Sequence, residues 1–330
     1  MAEIERTDSV QREPSFPQEL TAWWRIQPLK SVFLVLLGAW ILLFHFLGNS
    51  TLGYVNTPSL FGWWRWVYTR GSAEGANWLA QILESDESFP WFVPLIVLGL
   101  FWWKRHELQK LPKKIWWPAL GLLVVALLLH VAGFVVQQTR ISLVGFLVGF
   151  YALMGLVWGW LWMRSTFFPW FLLGFCVPIS NYIESITLPL RLLATRISVW
   201  LCQGALGIDV VRNGTTIWEP TGKFQYEIAA ACSGIRSLTA FVAFTTIFSF
   251  VFFRKNWKRA IVIGSAFPLA VLSNVVRLLM IIIAAETWGQ AAGARVHDST
   301  WISLIPYAPS LVGFVLLAQW LKDDEEEKAA

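Results

Sequence analysis

Long uninterrupted runs of apolar residues constrain this chain more than any other feature of its sequence. A helix needs about 20 apolar residues to cross the hydrocarbon core of a bilayer, and several runs approach that length. They lack the alternation of half-buried strands and the polar face of soluble amphipathic helices. The chain is 56% hydrophobic and 14% charged, against roughly 25% charged residues in soluble domains. The sequence therefore argues against a soluble globular domain.

Eight of these segments are interpreted as membrane-spanning helices, which predicts an all-α integral membrane protein. They cover residues 31–47, 89–103, 115–136, 141–163, 167–179, 233–253, 260–285 and 301–321. The fifth is short, but a short segment can cross by thinning the bilayer or by packing inside a bundle. Tryptophan pairs at the ends of several segments, such as Trp116-Trp117, are typical of bilayer interfaces.

Basic residues in two short connections set the predicted orientation. Five lysines and arginines lie in residues 104–114 and four in residues 254–259, and connections rich in these residues stay in the cytoplasm. With eight spans, both termini are then cytoplasmic. We therefore expect a cytoplasmic N-terminal segment (1–30), a polytopic membrane domain (31–321) and an acidic cytoplasmic tail (322–330). This asymmetry accounts for the net charge of +5 without a nucleic-acid partner.

The longest outward connection carries two predicted elements of its own. Residues 186–206 are apolar but contain one proline and two arginines, which favours an interfacial or re-entrant helix over a span. Residues 208–228 have turn signals at Asn213-Gly214 and Thr221-Gly222 among β-forming residues, which predicts a small β-hairpin. The expected fold is about eight transmembrane helices with an interfacial helix and an extracytoplasmic β-hairpin.

The first chemically suggestive stretch is 229–236, Ala-Ala-Ala-Cys-Ser-Gly-Ile-Arg, where this connection meets the sixth span. Cys232 would begin a helix there, and unpaired amides together with the helix dipole favour a thiolate at such a position. Arg236 follows four residues later on the same face and would stabilise the thiolate further. The alternative is that Cys232 is a small buried hydrophobic residue and that Ser233-Gly234 assists helix packing.

Two more polar positions are predicted on the same side of the membrane. Asn274 and Arg277 share one helical face near the outer end of the seventh span, where an arginine needs a partner, an aqueous pocket or a route for snorkelling to the headgroups. His297 and Asp298 lie in the last predicted outer loop, residues 287–300, and a histidine there is either solvated or an acid–base group. With Cys232, these segments supply a nucleophile, an oxyanion donor and a base.

In their order along the chain, these motifs resemble the exosortase/archaeosortase family. The resemblance rests on residues 189–196 (Pro-Leu-Arg-Leu-Leu-Ala-Thr-Arg), 206–208 (Leu-Gly-Ile), 231–238 (Ala-Cys-Ser-Gly-Ile-Arg-Ser-Leu), 274–277 (Asn-Val-Val-Arg) and 297–298 (His-Asp). It covers residues 167–321, the expected catalytic core, whereas the N-terminal half agrees only in hydropathy and in a Trp-rich outer loop. Archaeal members differ at the histidine position, so the resemblance is to the bacterial exosortases.

The resemblance implies a sortase-like cysteine peptidase and transpeptidase. Its substrates would be proteins with a C-terminal sorting signal, made of a short motif such as Pro-Glu-Pro, a transmembrane helix and a basic tail. It would act at the outer face of a bacterial inner membrane and transfer the product to a surface acceptor such as a glycan or lipid. Carried over by motif, Cys232 is the nucleophile, Arg277 the catalytic arginine and His297 the catalytic histidine. The supporting residues are Arg236, Asn274 and Asp298.

Two other functional classes compete with this interpretation. A multi-pass transporter or channel could line its substrate path with Asn274 and Arg277, although no inverted repeat supports it. A non-catalytic membrane component of exopolysaccharide export would tolerate the loss of Cys232. The three cysteines form no CxxC or Cys/His metal spacing. Neither a metal nor a cofactor is therefore expected, and membrane lipids are the remaining expected partners.

Overall fold

The structure, a computed structural model, is dominated by α-helices, as the long apolar runs predict. It describes residues 15–51, 53–69, 89–178, 180–227, 235–299 and 302–322. For residues 180–186, 227, 235–237, 298 and 303 it describes the backbone alone. The chain forms two compact units, one of residues 1–67 and 94–177 and the other of residues 68–93 and 178–330.

The helices of the first half are α1 (Phe16–Arg25), α2 (Lys30–Leu47), α3 (Leu60–Thr69), α4 (Phe89–Trp103), α5 (Arg105–Lys110), α6 (Ala119–Val135), α7 (Thr139–Trp158) and α8 (Trp160–Leu172). Those of the second half are α9 (Ser180–Leu201), α10 (Ile235–Phe252), α11 (Asn256–Gly264), α12 (Ala266–Trp288), α13 (Gln290–Asp298) and α14 (Tyr307–Leu321). The short helical turns are Leu173–Cys176, Cys202–Leu206 and Ile302–Leu304.

Several described helices are suited to a bilayer by length and composition. Three are long and apolar enough to cross one, namely α2, α7 and the run of α11 and α12 at Asn256–Trp288. Four shorter apolar helices accompany them: α4, α6, the Leu238–Phe252 part of α10, and α14. A helical membrane fold is thereby confirmed, whereas the count of eight spans stays a prediction.

The predicted boundary between the fourth and fifth spans is wrong. The sequence predicts helices over residues 141–163 and 167–179, but α7 ends immediately before Gly159 and α8 begins immediately after it. Gly159 has a φ of +95°, which residues with a side chain rarely adopt. A Cβ there would also lie 2.6 Å from the carbonyl oxygen of Lys114. Because apolar residues continue on both sides of this glycine, hydropathy does not reveal the turn.

The first unit packs α2, α6, α7 and α8 around an aromatic core. Phe44 and Trp162 are almost fully buried in it. Trp40 donates its indole N–H to the carbonyl oxygen of Phe146 at 3.1 Å, which satisfies a polar group that burial would otherwise penalise. Every predicted site residue falls within residues 178–330, in the second unit.

The second unit is built around α12, which packs against α9, α10, α13 and α14. α9 is amphipathic: Ala194, Thr195 and Ser198 are fully buried, whereas Leu193 and Trp200 are exposed. The helix predicted at residues 186–206 is present but begins earlier, at residue 180. The turn Cys202–Leu206 continues α9 directly, so the predicted end at residue 206 is confirmed. The position of this helix at the membrane interface stays a prediction.

Within the hairpin predicted at residues 208–228, residues 211–227 form a three-stranded antiparallel sheet instead. The strands β1 (Val211–Asn213), β2 (Thr216–Trp218) and β3 (Gln225–Glu227) lie in sequence order. Both predicted turns are present, with Gly214 at a φ of +60° and Gly222 at +85°. Two turns separate three strands, so the prediction of a single hairpin counted one strand too few.

One face of this sheet is anchored on α12 through apolar side chains. Ile217 of β2 and the neighbouring Val210 and Phe224 are at most 1% exposed. They share a core with Val275 and Ile282 of α12. Burying a side chain of this size contributes roughly 1.5–3 kcal/mol, so the sheet is a fixed part of the second unit.

The predicted outer loop at residues 287–300 contains a helix instead. After Gly289, at a φ of +84°, α13 runs back along α12 and forms a helical hairpin with it. Gly293 permits the close approach, because a Cβ there would lie 3.0 Å from both the carbonyl oxygen of Ile281 and the Cβ of Ala285. The stretch is too short and too polar for hydropathy to identify it as a helix.

The basic connection at residues 254–259 is partly helical, since α11 begins within it. Lys258 is 1% exposed, and its Nζ donates to the carbonyl oxygen of Leu321 at 2.5 Å, at the end of α14. Arg259 donates through Nε to the carbonyl oxygen of Phe253 at 2.8 Å, just after α10. Two of the four cations counted for orientation thus satisfy carbonyl groups at helix ends.

Candidate active site

Asn274 and Arg277 lie one turn apart within α12, as their spacing predicts. The helix is continuous because it is rich in Leu, Ile, Val and Ala, and its one proline, Pro268, lies in the first turn, where a missing amide is tolerated. Asn274 is 7% exposed and Arg277 is partly buried. Both therefore introduce polar groups into an apolar unit, which is costly without partners.

The structure brings Arg277 of α12 together with His297 of α13. Nη2 of Arg277 donates to the backbone carbonyl oxygen of His297 at 3.4 Å. His297 lies in the last turn of α13, where carbonyl groups have no partner within the helix and the helix dipole concentrates negative charge. The guanidinium is thus favoured at this helix end, and the partly buried imidazole of His297 belongs to the same turn.

The Nε atom of Arg277 takes no part in the hydrogen bond to His297. It is buried and has no hydrogen-bond partner among the residues that the structure describes. A guanidinium has five N–H donors in a planar fork, and a buried donor without a partner costs about 1–3 kcal/mol. A carbonyl oxygen or an oxyanion would satisfy this donor.

A narrow pocket lies where α9, α10 and α12 meet. Its volume of about 10 Å³ is roughly the space for one water molecule. It is lined by Thr187, Leu190, Arg191, Leu238, Ala270, Val271 and Asn274. Sequence reasoning missed Arg191 as a neighbour of Asn274, although an arginine that interrupts an apolar helix is a signal of function. The missing information was the pairing of α9 with α12.

The predicted nucleophile, Cys232, lies outside the described residues, in segment 228–234 between β3 and α10. Arg236 and Asp298 lie in α10 and α13, where the structure describes only their backbone. The grouping of Cys232 with Arg277 and His297 therefore stays a prediction. The other cysteines, Cys176 and Cys202, are buried.

The sheet is also attached to the corner between α12 and α13. Tyr226 of β3 donates its hydroxyl to the carbonyl oxygen of Gln290 at 2.5 Å, and the Gln290 side chain donates to the carbonyl oxygen of Gln225 at 3.4 Å. Lys223 forms an ion pair with Glu286 near the end of α12. The strand that precedes the Cys232 segment is thus tied to the helical hairpin that carries Arg277 and His297.

Ionisation of these groups follows from their partners. The hydrogen bond to Glu286 raises the pKa of Lys223, so the ion pair is intact at neutral pH. The Thr221 hydroxyl is the main cause that lowers the pKa of Glu219 in the loop between β2 and β3. Burial raises the pKa of Tyr226, so its hydroxyl keeps the proton that it donates.

The apolar helices are those of a multi-pass α-helical membrane protein. Its candidate site residues Asn274 and Arg277 lie on α12, and His297 lies on α13. The family model for transmembrane exosortases matches residues 78–318, well over half of the chain. The chain therefore belongs to the transmembrane exosortase family, and the resemblance inferred from its motifs is confirmed. No curated protein matches the chain, and no solved structure does.

Proposed function

We propose that the protein is a membrane-embedded cysteine peptidase and transpeptidase that cleaves C-terminal sorting signals. One observation carries this proposal: the guanidinium of Arg277 meets the helical turn that bears His297. Arg277, whose buried Nε has no described partner, and His297, the proposed acid–base residue, then belong to the hairpin of α12 and α13. Membership of the transmembrane exosortase family supports the same chemistry.

Connectivity supports Cys232 as the nucleophile. Cys232 precedes the first residue of α10 by three positions, so its Cα lies within roughly 11 Å of that helix end. α10 packs against α12, and Leu238 of α10 lines the pocket that Asn274 also lines. The thiol is thereby tethered to the helix pair that presents Arg277.

In the proposed reaction, the Cys232 thiolate attacks the carbonyl carbon of the scissile peptide bond. Arg277 stabilises the oxyanion of the tetrahedral intermediate. The intermediate collapses to a thioester as the C–N bond breaks, and the leaving amine takes a proton from the imidazolium of His297. Neutral His297 then removes a proton from the acceptor nucleophile, which attacks the thioester and regenerates the thiolate. Arg236 and Asp298 are proposed to support the thiolate and the imidazole.

The proposed substrates are proteins that end in a short motif such as Pro-Glu-Pro, a transmembrane helix and a basic tail. The substrate helix lies beside the bundle and orients the scissile bond, so that binding energy from a remote part of the substrate lowers the barrier. The proposed location is the extracytoplasmic face of a bacterial inner membrane, and the acceptor is a surface glycan or lipid.

The decisive experiment is co-expression of the full-length protein with a substrate that carries a candidate sorting tail. Mass spectrometry should show a substrate of lower mass with the wild-type protein and an unchanged substrate with Cys232→Ala. Cys202→Ala is the matched control, because Cys202 is a free, fully buried thiol in the same unit. Wild-type levels of cleavage by Cys232→Ala would exclude the proposed chemistry.

A further inference from the structure

Tyr226 connects two elements that the proposed chemistry must hold together. It is the middle residue of β3, the strand that leads into segment 228–234 with Cys232. Its hydroxyl donates to the carbonyl oxygen of Gln290 at 2.5 Å, and Gln290 is the first residue of α13. The last turn of the same helix bears His297. One side chain therefore joins the strand before the proposed nucleophile to the helix of the proposed acid–base group.

The sequence leaves room for this side chain at Gly293. A Cβ at position 293 would overlap the hydroxyl oxygen of Tyr226 and would crowd Ile281 and Ala285 of α12. Glycine within a helix is less favourable than alanine, so its use here has a destabilising effect of its own. The glycine leaves the space in which the Tyr226 hydroxyl contacts α13.

The contacts on either side of Tyr226 reach mainly α12. Phe224 is 1% exposed and packs in the core that includes Val275, and Lys223 pairs with Glu286. Contact with α13 comes from the Tyr226 hydroxyl and from the longer Gln290–Gln225 hydrogen bond. Removing the Tyr226 hydroxyl should therefore loosen the strand from α13 while leaving its anchorage to α12 in place.

We propose that Tyr226 and Gly293 form a latch that sets the distance between the Cys232 segment and the turn of His297. Tyr226 is then a positioning residue for acyl transfer. This inference rests on the proposed function, because it assigns Cys232 and His297 to one reaction. A displacement of about 1 Å can cost roughly a hundredfold in rate, so a weakened latch should lower kcat more than it changes KM.

Cross-linking measures the distance directly, without relying on activity. The full-length protein carries His297→Cys together with Cys176→Ala and Cys202→Ala, and a short bifunctional thiol reagent links position 297 to Cys232. Adding Tyr226→Phe should reduce the cross-linked product roughly fivefold, as expected for the loss of one net hydrogen bond. Tyr307→Phe, which removes a hydroxyl from α14, is the control and should leave the yield unchanged.

Kinetics on the otherwise wild-type protein provide the second measurement. Tyr226→Phe should lower kcat by about tenfold with KM changed less than about twofold. Gly293→Ala should act in the same direction, and Tyr226→Phe should relieve part of its effect, because the new methyl group no longer meets the hydroxyl. Equal cross-linking with and without Tyr226→Phe, or no cross-linking in the parent, overturns the latch. Cleavage that survives Cys232→Ala instead overturns the proposed function.

Discussion

The Nη2 atom of Arg277 lies 3.4 Å from the backbone carbonyl oxygen of His297 and closes the last turn of α13 against α12. This contact alone would make Arg277 a helix cap. Its Nε atom is buried and has no described partner, and the proposed chemistry gives Arg277 a second role as the oxyanion donor. The capping role and the chemical role make different predictions, which mutagenesis can separate.

Arg277→Gln should lower turnover of a sorting substrate by about a hundredfold or more, the loss typical of one oxyanion donor. Arg277→Lys should restore little, because an ammonium group cannot reproduce the planar fork. Turnover is measured from the mass shift of the co-expressed substrate. Arg259→Gln is the matched control, since Arg259 also donates to a carbonyl group near a helix end. An equal loss of turnover in both variants would assign the effect to capping.

Cys232, Arg277 and His297 should lose activity as a unit. Residues that serve one chemical step show strongly non-additive effects, so a Cys232→Ala/His297→Ala double variant should be scarcely less active than Cys232→Ala. Single-turnover assays on equal amounts of membrane-inserted protein test this expectation. Losses that multiply independently would mean that the three residues do not act together.

The loop between β2 and β3 should become sensitive to acid when Thr221 is replaced by Val. Glu219 accepts hydrogen bonds from the Thr221 hydroxyl at 2.6 Å and from the Lys223 amide at 3.1 Å, which lower its pKa. Its stabilisation is present above the unfolded pKa of about 4.3 and is lost as pH falls through the lower folded value. Hydrogen exchange of residues 219–224 should show Thr221→Val losing protection at a higher pH than wild type. Coincident pH profiles would contradict this role.

Lys258→Met should destabilise the protein although it removes a buried charge. The substitution leaves the Leu321 carbonyl without its Nζ donor, at a cost of about 1–3 kcal/mol. Thermal unfolding in detergent should show a lower Tm than wild type. Arg254→Met is the control, because Arg254 is exposed in the same connection. A Tm for Lys258→Met that equals that of this control would refute the capping role.

The orientation in the membrane is tested by labelling single cysteines in a background without the three native ones. Three exposed positions are suitable for labelling: Asp209 beside the sheet, Asn213 within it and Arg254 after α10. A cysteine at each can react with a reagent in solution. An impermeant maleimide applied from outside should label Asp209→Cys and Asn213→Cys but not Arg254→Cys, as the basic residues predict. External labelling of Arg254→Cys would invert the topology.

Hydropathy predicted the helical membrane architecture because a membrane-spanning helix is a local property of its own residues. It could not predict the breaks, since Gly159 and Gly289 act through positive φ values that the surrounding sequence does not reveal. It also treated Lys258 as a loop cation, although the structure buries it beneath the end of α14. That burial depends on a partner 63 positions away.

Part of the candidate site could likewise be predicted from the sequence, and part could not. The spacing of Asn274 and Arg277 predicted their common helical face, because three residues make nearly one turn. The contact between Arg277 and His297 depends on α13 folding back, which no local pattern predicts. Tyr226 is a more extreme case, since its hydroxyl reaches an acceptor 64 positions later.

The hairpin of α12 and α13 has a consequence for the fate of the acyl group. Arg277 lies eleven residues before the end of α12, a distance of about 17 Å along the helix at 1.5 Å per residue. Arg277 is partly buried, whereas the corner at Gly289 is exposed, so the proposed oxyanion donor lies within the helical unit rather than at that corner. If the proposed thioester forms beside Arg277, we expect an acceptor carried on a lipid to compete better with water there than it would at the exposed corner.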